Sequence, residues 1–411
     1  MTTIEEIVIR KIMDSRGRPT VEVEVYTPDG VGVAAAPSGA STGEHEVVAF
    51  PEKGIDAAIE QFRKIVIPEL LDLDTVDQRY IDKLLHELDG TPNFSKLGGN
   101  LTVATSLAVA KAAADSLCMP LYAYLGGTFA HKLPYPMGNV IGGGAHAVGG
   151  TDIQEYLAVS TSNSALKNVF TNAAVHKRIK DKLSKKFPGE AIGKGDEGAW
   201  TVKLGNEEAL KLLCEACETV SDEEKIKVYP ALDLAASEFY KDGKYVYKRD
   251  NKSLTTEEQV KFLASLVDKY KLYSLEDPLE ENDYEGYVAL TKEIGHKCII
   301  IGDDFFTTNK ERLKKGIEMK AANAILIKPN QIGTLTDTFE TIELAHLNGY
   351  KTVVSHRSGE TTDETIAHIA VAFGAIGIKT GTVGGERIAK LNELIRIEED
   401  LKYPDYLGKE D

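Results

Sequence analysis

Three acidic residues, Asp233, Glu276 and Asp303, each end an apolar or nearly apolar run, and two lysines, Lys328 and Lys379, end two more. Taken singly, each acid reads as a solvated loop residue or a helix cap. As a set in phase with successive runs they read differently, because converging carboxylates repel one another unless a cation lies between them. All-oxygen ligation suits Mg2+, with water or substrate in the remaining positions. Asp277 and Asp304, which directly follow two of these acids, read as caps or supporting groups. A lysine at a buried strand end is unusual, since desolvating an ammonium is costly. Near a metal and a second lysine its pKa falls, which makes a neutral amine available as a base. A structural ion pair is the competing reading, evenly balanced for Lys379 alone. Lysines and a metal together suggest abstraction of a proton next to a carboxylate.

Other segments add polar groups. Ser355-His356-Arg357-Ser358-Gly359 sets an arginine between hydroxyls after a strand, which suits a phosphate clamp or a helix-capping loop. Pro37-Ser38-Gly39-Ala40-Ser41-Thr42-Gly43 is small and hydroxyl-rich, a lid or a plain turn. His146 ends Gly142-Gly143-Gly144-Ala145-His146, a mobile loop or simply a structural histidine; Gln154-Glu155 precedes an apolar strand-like run; and Gly195-Asp196-Glu197-Gly198 places two acids in a glycine-flanked turn that also reads as plain surface.

The elements that must position these groups follow from patterning. The runs are 229–233, 272–276, 298–303, 324–328, 352–356 and 375–379, and the last five end 23 to 28 residues apart. That spacing holds one strand, one helix and two short loops. Helix-patterned segments such as Thr334–Leu347 and Thr361–Phe373 lie between them. Continuous apolar strands alternating with helices imply a parallel sheet covered on both faces, and so many units with polar groups at the strand ends imply a β/α barrel. Upstream, residues 4–36 read as three antiparallel strands, with Thr20–Tyr26 alternating cleanly and Thr27-Pro28-Asp29-Gly30 as a turn. Helical patterns cover about 54–71, 75–89 and 100–117. The prolines in Leu133-Pro134-Tyr135-Pro136 suit a boundary, so the expected domains are an α+β cap over 1–134 and a β/α barrel over 135–411.

The 411 residues suffice for two domains, and the net charge of −16 argues against nucleic-acid or anionic-membrane partners. A site for an anionic substrate must then be locally basic. The first residues lack the layout of a signal peptide, and the apolar stretch Ile366–Ile378 is too short to span a bilayer. Four cysteines fit a reduced, cytoplasmic compartment. Cys214 and Cys217 form a C-x-x-C inside a helical pattern with no second pair, which reads as core rather than redox or zinc chemistry.

In this order the residues resemble the enolase family over nearly the whole chain, from Asp14-Ser15-Arg16-Gly17 to Arg396-Ile397-Glu398-Glu399. The most specific segments are 38–43, 326–335 and 355–361. The resemblance implies a small α+β cap on a barrel whose first units depart from simple alternation. It implies reversible dehydration of 2-phosphoglycerate to phosphoenolpyruvate, with Lys328 as base and Glu197 as acid, Glu155 beside it. Asp233, Glu276 and Asp303 match ligands of one Mg2+, and Ser41 matches a lid residue reaching a second Mg2+ that arrives with substrate. Arg357 and Ser358, in the loop with His356, match the phosphate site, and Lys379, Gln154 and His146 match substrate contacts. The family also implies a homo-oligomer, a dimer or an octamer. Gly142-Gly143, Ala199 with Trp200 after it, and Arg18 depart from the usual motifs and mark a divergent branch. A lyase or racemase acting on another carboxylate, and a binding protein that has lost catalysis, are the competing readings. The phosphate loop and lid oppose the first, and the retained Lys328, Glu197 and three acids oppose the second as a sole role.

Overall fold

The computed structural model describes residues 1–39, 43–147, 149–401 and 404–406. The chain opens with an antiparallel meander, Glu6–Met13, Pro19–Thr27 and Gly30–Ala35, joined by the expected turn at residues 28 and 29. Val21, Val23 and Val25 alternate inward and are buried. They face the helix Gly99–Ser116, whose run of alanines and small polar residues lets it lie against the sheet and become almost wholly buried. Gly32 explains itself there: a Cβ on it would stand 1.9 Å from the carbonyl oxygen of Ala108. No single described helix is long and apolar enough to cross a membrane.

The rest of the chain builds the barrel. Eight strands close on themselves: Tyr135–Gly142, Glu155–Ser160, Val228–Asp233, Ser274–Glu276, Ile299–Gly302, Ala324–Ile327, Lys351–Ser355 and Gly377–Lys379, the last pairing back with the first. Seven run parallel. The second, Glu155–Ser160, runs antiparallel to both neighbours. A strand that starts at Glu155 would normally hold that residue at the bottom of a barrel. Reversal carries it to the top, where it pairs in register with Asp233 and Gly142.

The apolar strands are divided between two cores. Ala324 and Leu326 point into the barrel, where they meet Met137, Leu157, Ala231, Ile301 and Val353. Ile325 and Ile327 point outward into the larger core beneath the helices. This is ordinary strand alternation, hidden because both faces are dry. The helix over Leu335–Leu347 forms as expected and is capped by Thr334, whose hydroxyl accepts from the amide of Asp337. The helix expected over Thr361–Phe373 is shorter, Thr365–Ala372. The preceding residues are held as a loop: the amides of Arg357 and Thr361 donate to the Glu360 carboxylate, and that of Thr365 to Asp363. Cys214 and Cys217 lie in the helix Asn206–Glu224, and none of the four cysteines is in a disulfide.

The small domain rests on the rim of the barrel. Ser38 exchanges two backbone hydrogen bonds with Gly359, 2.8 and 2.9 Å, and the amide of Ser15 donates to the carbonyl of Glu360 at 2.7 Å. Arg18 donates to Asp14 at 3.2 Å and to the carbonyls of Ser38 and Gly39 at 3.4 Å, so this departure ties down the stem of the glycine-rich loop.

Candidate active site

The inward-facing positions of the strands change character at the top of the barrel. Two residues above Ala231, Ile301 and Leu326 stand Asp233, Asp303 and Lys328, and two residues above Met137 stands Asn139. In the reversed strand Glu155 stands two residues before Leu157. One cavity at this rim is lined by His146, Gln154, Glu155, Glu197, Asp233, Asp303, Lys328, His356, Arg357, Ser358 and Lys379, with Gly39 from the small domain. Glu276 is buried beside it, paired in register with Asp233. Of the residues expected at the site, only Ser41 lies outside the described residues.

The two lysines are the counter-charges of the acids. Lys379 Nζ lies 2.9 Å from Asp233 Oδ2, 2.8 Å from Glu276 Oε1 and 3.2 Å from Glu155 Oε1. Lys328 Nζ pairs with Asp303 Oδ2, whose other oxygen accepts from Gln331 Nε2 at 2.9 Å. The sequence predicts both lysines lowered, beside a metal and a second lysine, and burial acts in that direction, but the shift is the reverse. The carboxylates outweigh burial, raising Lys328 through Asp303 and Lys379 well above its ordinary value through Asp233, Glu155 and Glu276. Burial would raise Asp303, but the Lys328 ammonium holds it below its ordinary value. Glu276 is pushed up to about 8 by burial and by Asp233, against the pull of Lys379.

Asp277 serves as the expected supporting group. Its two oxygens accept the amides of Asp303 and Asp304, at 2.8 and 2.7 Å, and Tyr287 donates to it as well. Among the described residues, two groups bring metal-capable atoms within 4.8 Å of one another: His146–Glu155–Glu197 and Asp277–Asp303–Asp304. Lys379 bridges Asp233 and Glu276, Lys328 pairs with Asp303, and these three acids together are not one of the two groups. Their chemistry nevertheless fits a hard dication. All are carboxylates, and the buried Glu276 Oε2 has no hydrogen-bond partner.

Across the cavity lies a second pair of acids. Glu197 sits in the turn after Gly195, and Gly198 that follows has φ +73° and a Cβ position 2.4 Å from the carbonyl oxygen of Val383, so only glycine closes this turn. Asn139 Nδ2 donates to Glu197 Oε2 at 3.0 Å. His356 Nε2 lies 3.2 Å from Glu197 Oε1, off the line of a regular hydrogen bond, and His146 Nδ1 lies 3.7 Å away. Burial by itself would raise Glu197, but His356, His146 and the Arg387 guanidinium behind them hold it well below its ordinary value. Glu155 goes the other way, raised well above its ordinary value by burial and by the charge of Glu197. Of the two, Glu155 is the carboxyl whose surroundings favour the protonated form. Burial pushes His356 down to about 4, against the pull of Glu197.

Arg357, expected at the phosphate site, is buried and forked onto Glu46 of the small domain at 2.9 and 3.0 Å, and it donates to Asn330 Oδ1 at 3.1 Å. Trp200, another departure, is buried under the acid-bearing turn. Its indole donates to the His176 carbonyl, and its ring stacks on His176, which itself donates to the Gly198 carbonyl at 2.8 Å.

Sequence reasoning did not single out Asn139, Glu46 or Arg387. Asn139 is one polar residue in an apolar strand, and Glu46 follows the glycine-rich loop by three residues. For Arg387 a signal existed. Arg387, Lys390, Leu391, Leu394 and Ile397 recur at helical spacing and are buried, so two cations occupy the apolar face of an amphipathic helix.

A capped β/α barrel with lysines and carboxylates converging at its C-terminal rim defines a barrel enzyme. The family description "Enolase, C-terminal TIM barrel domain" matches residues 130–410, and "Enolase, N-terminal domain" matches residues 4–125. The chain is 57% identical to the enolase of Methanothermobacter thermautotrophicus, over 97% of each chain. It is 54% identical to that of Methanosphaera stadtmanae over 98% of each, and 50% identical to that of Thermoplasma acidophilum over 97% of this chain and 98% of the relative. This chain belongs to the enolase family, and is a lyase of the phosphopyruvate hydratase type.

Proposed function

We propose that this chain interconverts 2-phosphoglycerate and phosphoenolpyruvate with two Mg2+ per site, the second arriving with substrate. The observation that carries the reading is the shared cavity: Lys328, the carboxyl pair Glu155–Glu197 and the Arg357–Ser358 loop all line it. Asp233, Glu276 and Asp303 would hold the first Mg2+, and Ser41 would reach the second. The chemistry that Mg2+ supplies when bound is charge neutralisation, both of these acids and of the substrate carboxylate as its α-proton leaves. With the charge of Asp303 neutralised in this way, Lys328 would lose its counter-charge and, as the neutral amine, take the C2 proton at Nζ. The C3–O bond breaks as the proton held by the Glu155–Glu197 pair passes through Glu197 to the departing hydroxyl, which leaves as water. Arg357 and Ser358 hold the phosphate, with His356 alongside. Lys379, Gln154 and His146 orient the rest of the substrate. The electropositive groups answer the need for local basicity within a chain of net charge −16.

Residues 1–134 act as the cap and 135–411 carry the chemistry. Four cysteines, none in a disulfide, fit a cytoplasmic setting, and the family resemblance supports a homo-oligomer of two or eight copies. The test is to add 2-phosphoglycerate and Mg2+ and follow the ultraviolet absorbance of the enol product. Absorbance should rise, stop rising with EDTA and resume with excess Mg2+. No rise with 2-phosphoglycerate, or full activity in metal-stripped protein, overturns the reading.

A further inference from the structure

The last helix, Gly385–Asp400, brings a guanidinium under the active-site rim that the reaction itself does not use. Arg387 is wholly buried. An arginine cannot lose its charge in a protein and offers only donors, so burying it is costly unless those donors are met. Here the two terminal nitrogens are met by two separate loops, while Nε lies 3.3 Å from Glu386 Oε1 without a regular hydrogen bond. Arg387 Nη1 donates to His356 Nδ1 at 2.8 Å and to the Arg357 carbonyl at 2.6 Å. Nη2 donates to the Ser358 carbonyl at 2.7 Å and to the Asp196 carbonyl at 3.4 Å. The first three acceptors belong to the loop that carries Arg357 and Ser358. The fourth is the residue before Glu197.

The bond to His356 also decides a tautomer. Nδ1 faces a group that can only donate, so it must accept, and the ring proton is left on Nε2. Nε2 is the atom 3.2 Å from Glu197 Oε1. Three residues further along, Lys390 is also buried and works on the far side of the same loop. Its Nζ donates to the Thr361 carbonyl at 2.8 Å and pairs with Glu360 at 2.8 Å. Glu360 in turn accepts the Arg357 amide. Lys390 therefore braces the loop but touches neither His356 nor the turn carrying Glu197.

We propose that Arg387 is a positioning residue for the acid half of the reaction: it fixes the His356 tautomer that faces Glu197 and ties the phosphate-side loop to the acid-bearing turn. This rests on the assignments of Glu197, Arg357 and Ser358 proposed above. Lys328 belongs to the other half, since Arg387 makes no contact with it or with Asp303. Loss of Arg387 should therefore slow loss of the C3 hydroxyl far more than removal of the C2 proton.

The test compares two rates on 2-phosphoglycerate with Mg2+ in whole protein: exchange of the C2 proton with solvent deuterium, and formation of the enol product. Wild type is measured first, and failure to form the enol product there rejects the underlying reading before any variant is made. In Arg387→Met, product formation should fall about 10²-fold, the scale of one positioned proton transfer, while exchange falls less than about tenfold. Arg387→Lys keeps the charge but not the fork, so it should shift the ratio in the same direction, and it serves if the Met variant does not fold. Lys390→Met, equally buried on the same helix, controls for general loosening: it should raise KM and leave the ratio of exchange to product unchanged. An unchanged ratio in both folded Arg387 variants, or an equal shift in Lys390→Met, overturns the proposal.

Discussion

Two layers of the same barrel interior, separated by two residues along each strand, have opposite characters. The lower layer holds Met137, Leu157, Ala231, Ile301 and Leu326, apolar and closed. The upper layer holds buried Asn139, Glu155, Asp233 and Asp303 and the partly buried Lys328, polar and crowded with charge. The lower layer gains from being dry. In the upper layer the same dryness pushes Glu155 and Glu276 up and sets Lys328 against Asp303. One backbone geometry thus gives stability at one level and perturbed acids and bases at the next. Function in this barrel is stacked on a foundation that takes no part in the chemistry.

The sharpest way to break that comparison is to remove one residue from each layer of a single strand. Lys328→Ala should lower turnover by about 10²–10⁴-fold or more, the usual value of a positioned proton transfer, and leave the fold intact. C2-proton exchange at a near wild-type rate in this variant would show that another group is the base. Two residues below, Leu326→Ala should do the reverse. Truncating a fully buried leucine costs about 2–5 kcal/mol, which a urea titration reads directly, and kcat per folded molecule should stay within a few-fold of wild type. Equal losses of activity in the two variants would mean that the layers are not separable.

A smaller effect sharpens the comparison by pH. The lower layer has no histidine to titrate. The upper one is tied to His356 and, through the Gly198 carbonyl, to His176, both lowered to about 4 from 6.5, chiefly by burial. Below pH 6.5 the unfolded chain takes up protons that the folded one refuses, so stability falls as pH drops from 6.5 towards 4. His176→Gln should remove its share, on the order of 2 kcal/mol. The gap in urea midpoint between wild type and variant should therefore differ between pH 7 and pH 4.5. A gap that does not change with pH would remove His176 from this account.

Much of the site was legible because chemistry and strand rhythm coincide. Asp233, Glu276, Asp303, Lys328 and Lys379 end apolar runs, and the structure brings them to one rim. The meander, the helices near 55–89 and 99–116 and the cysteine-bearing helix were readable from alternation and helical spacing. The lysine pKa values were not. Their direction depends on which carboxylate lies within 3 Å, and sequence spacing does not contain that distance.

By itself the sequence determined which residues could react and that they share an end of successive strands, since apolar runs with polar ends specify a covered parallel sheet whatever the details. The tertiary structure decided the rest. Strands dry on both faces hide their alternation, so only closure of the barrel shows that Leu326 and Lys328 share the inner face while Ile325 and Ile327 share the outer. Strand direction is likewise absent from composition, and reversal of Glu155–Ser160 is what carries Glu155 to the rim. Arg387 lies 190 residues from Glu197 in sequence, yet it reaches both loops of the site because a buried cation must find its acceptors wherever the packing places them.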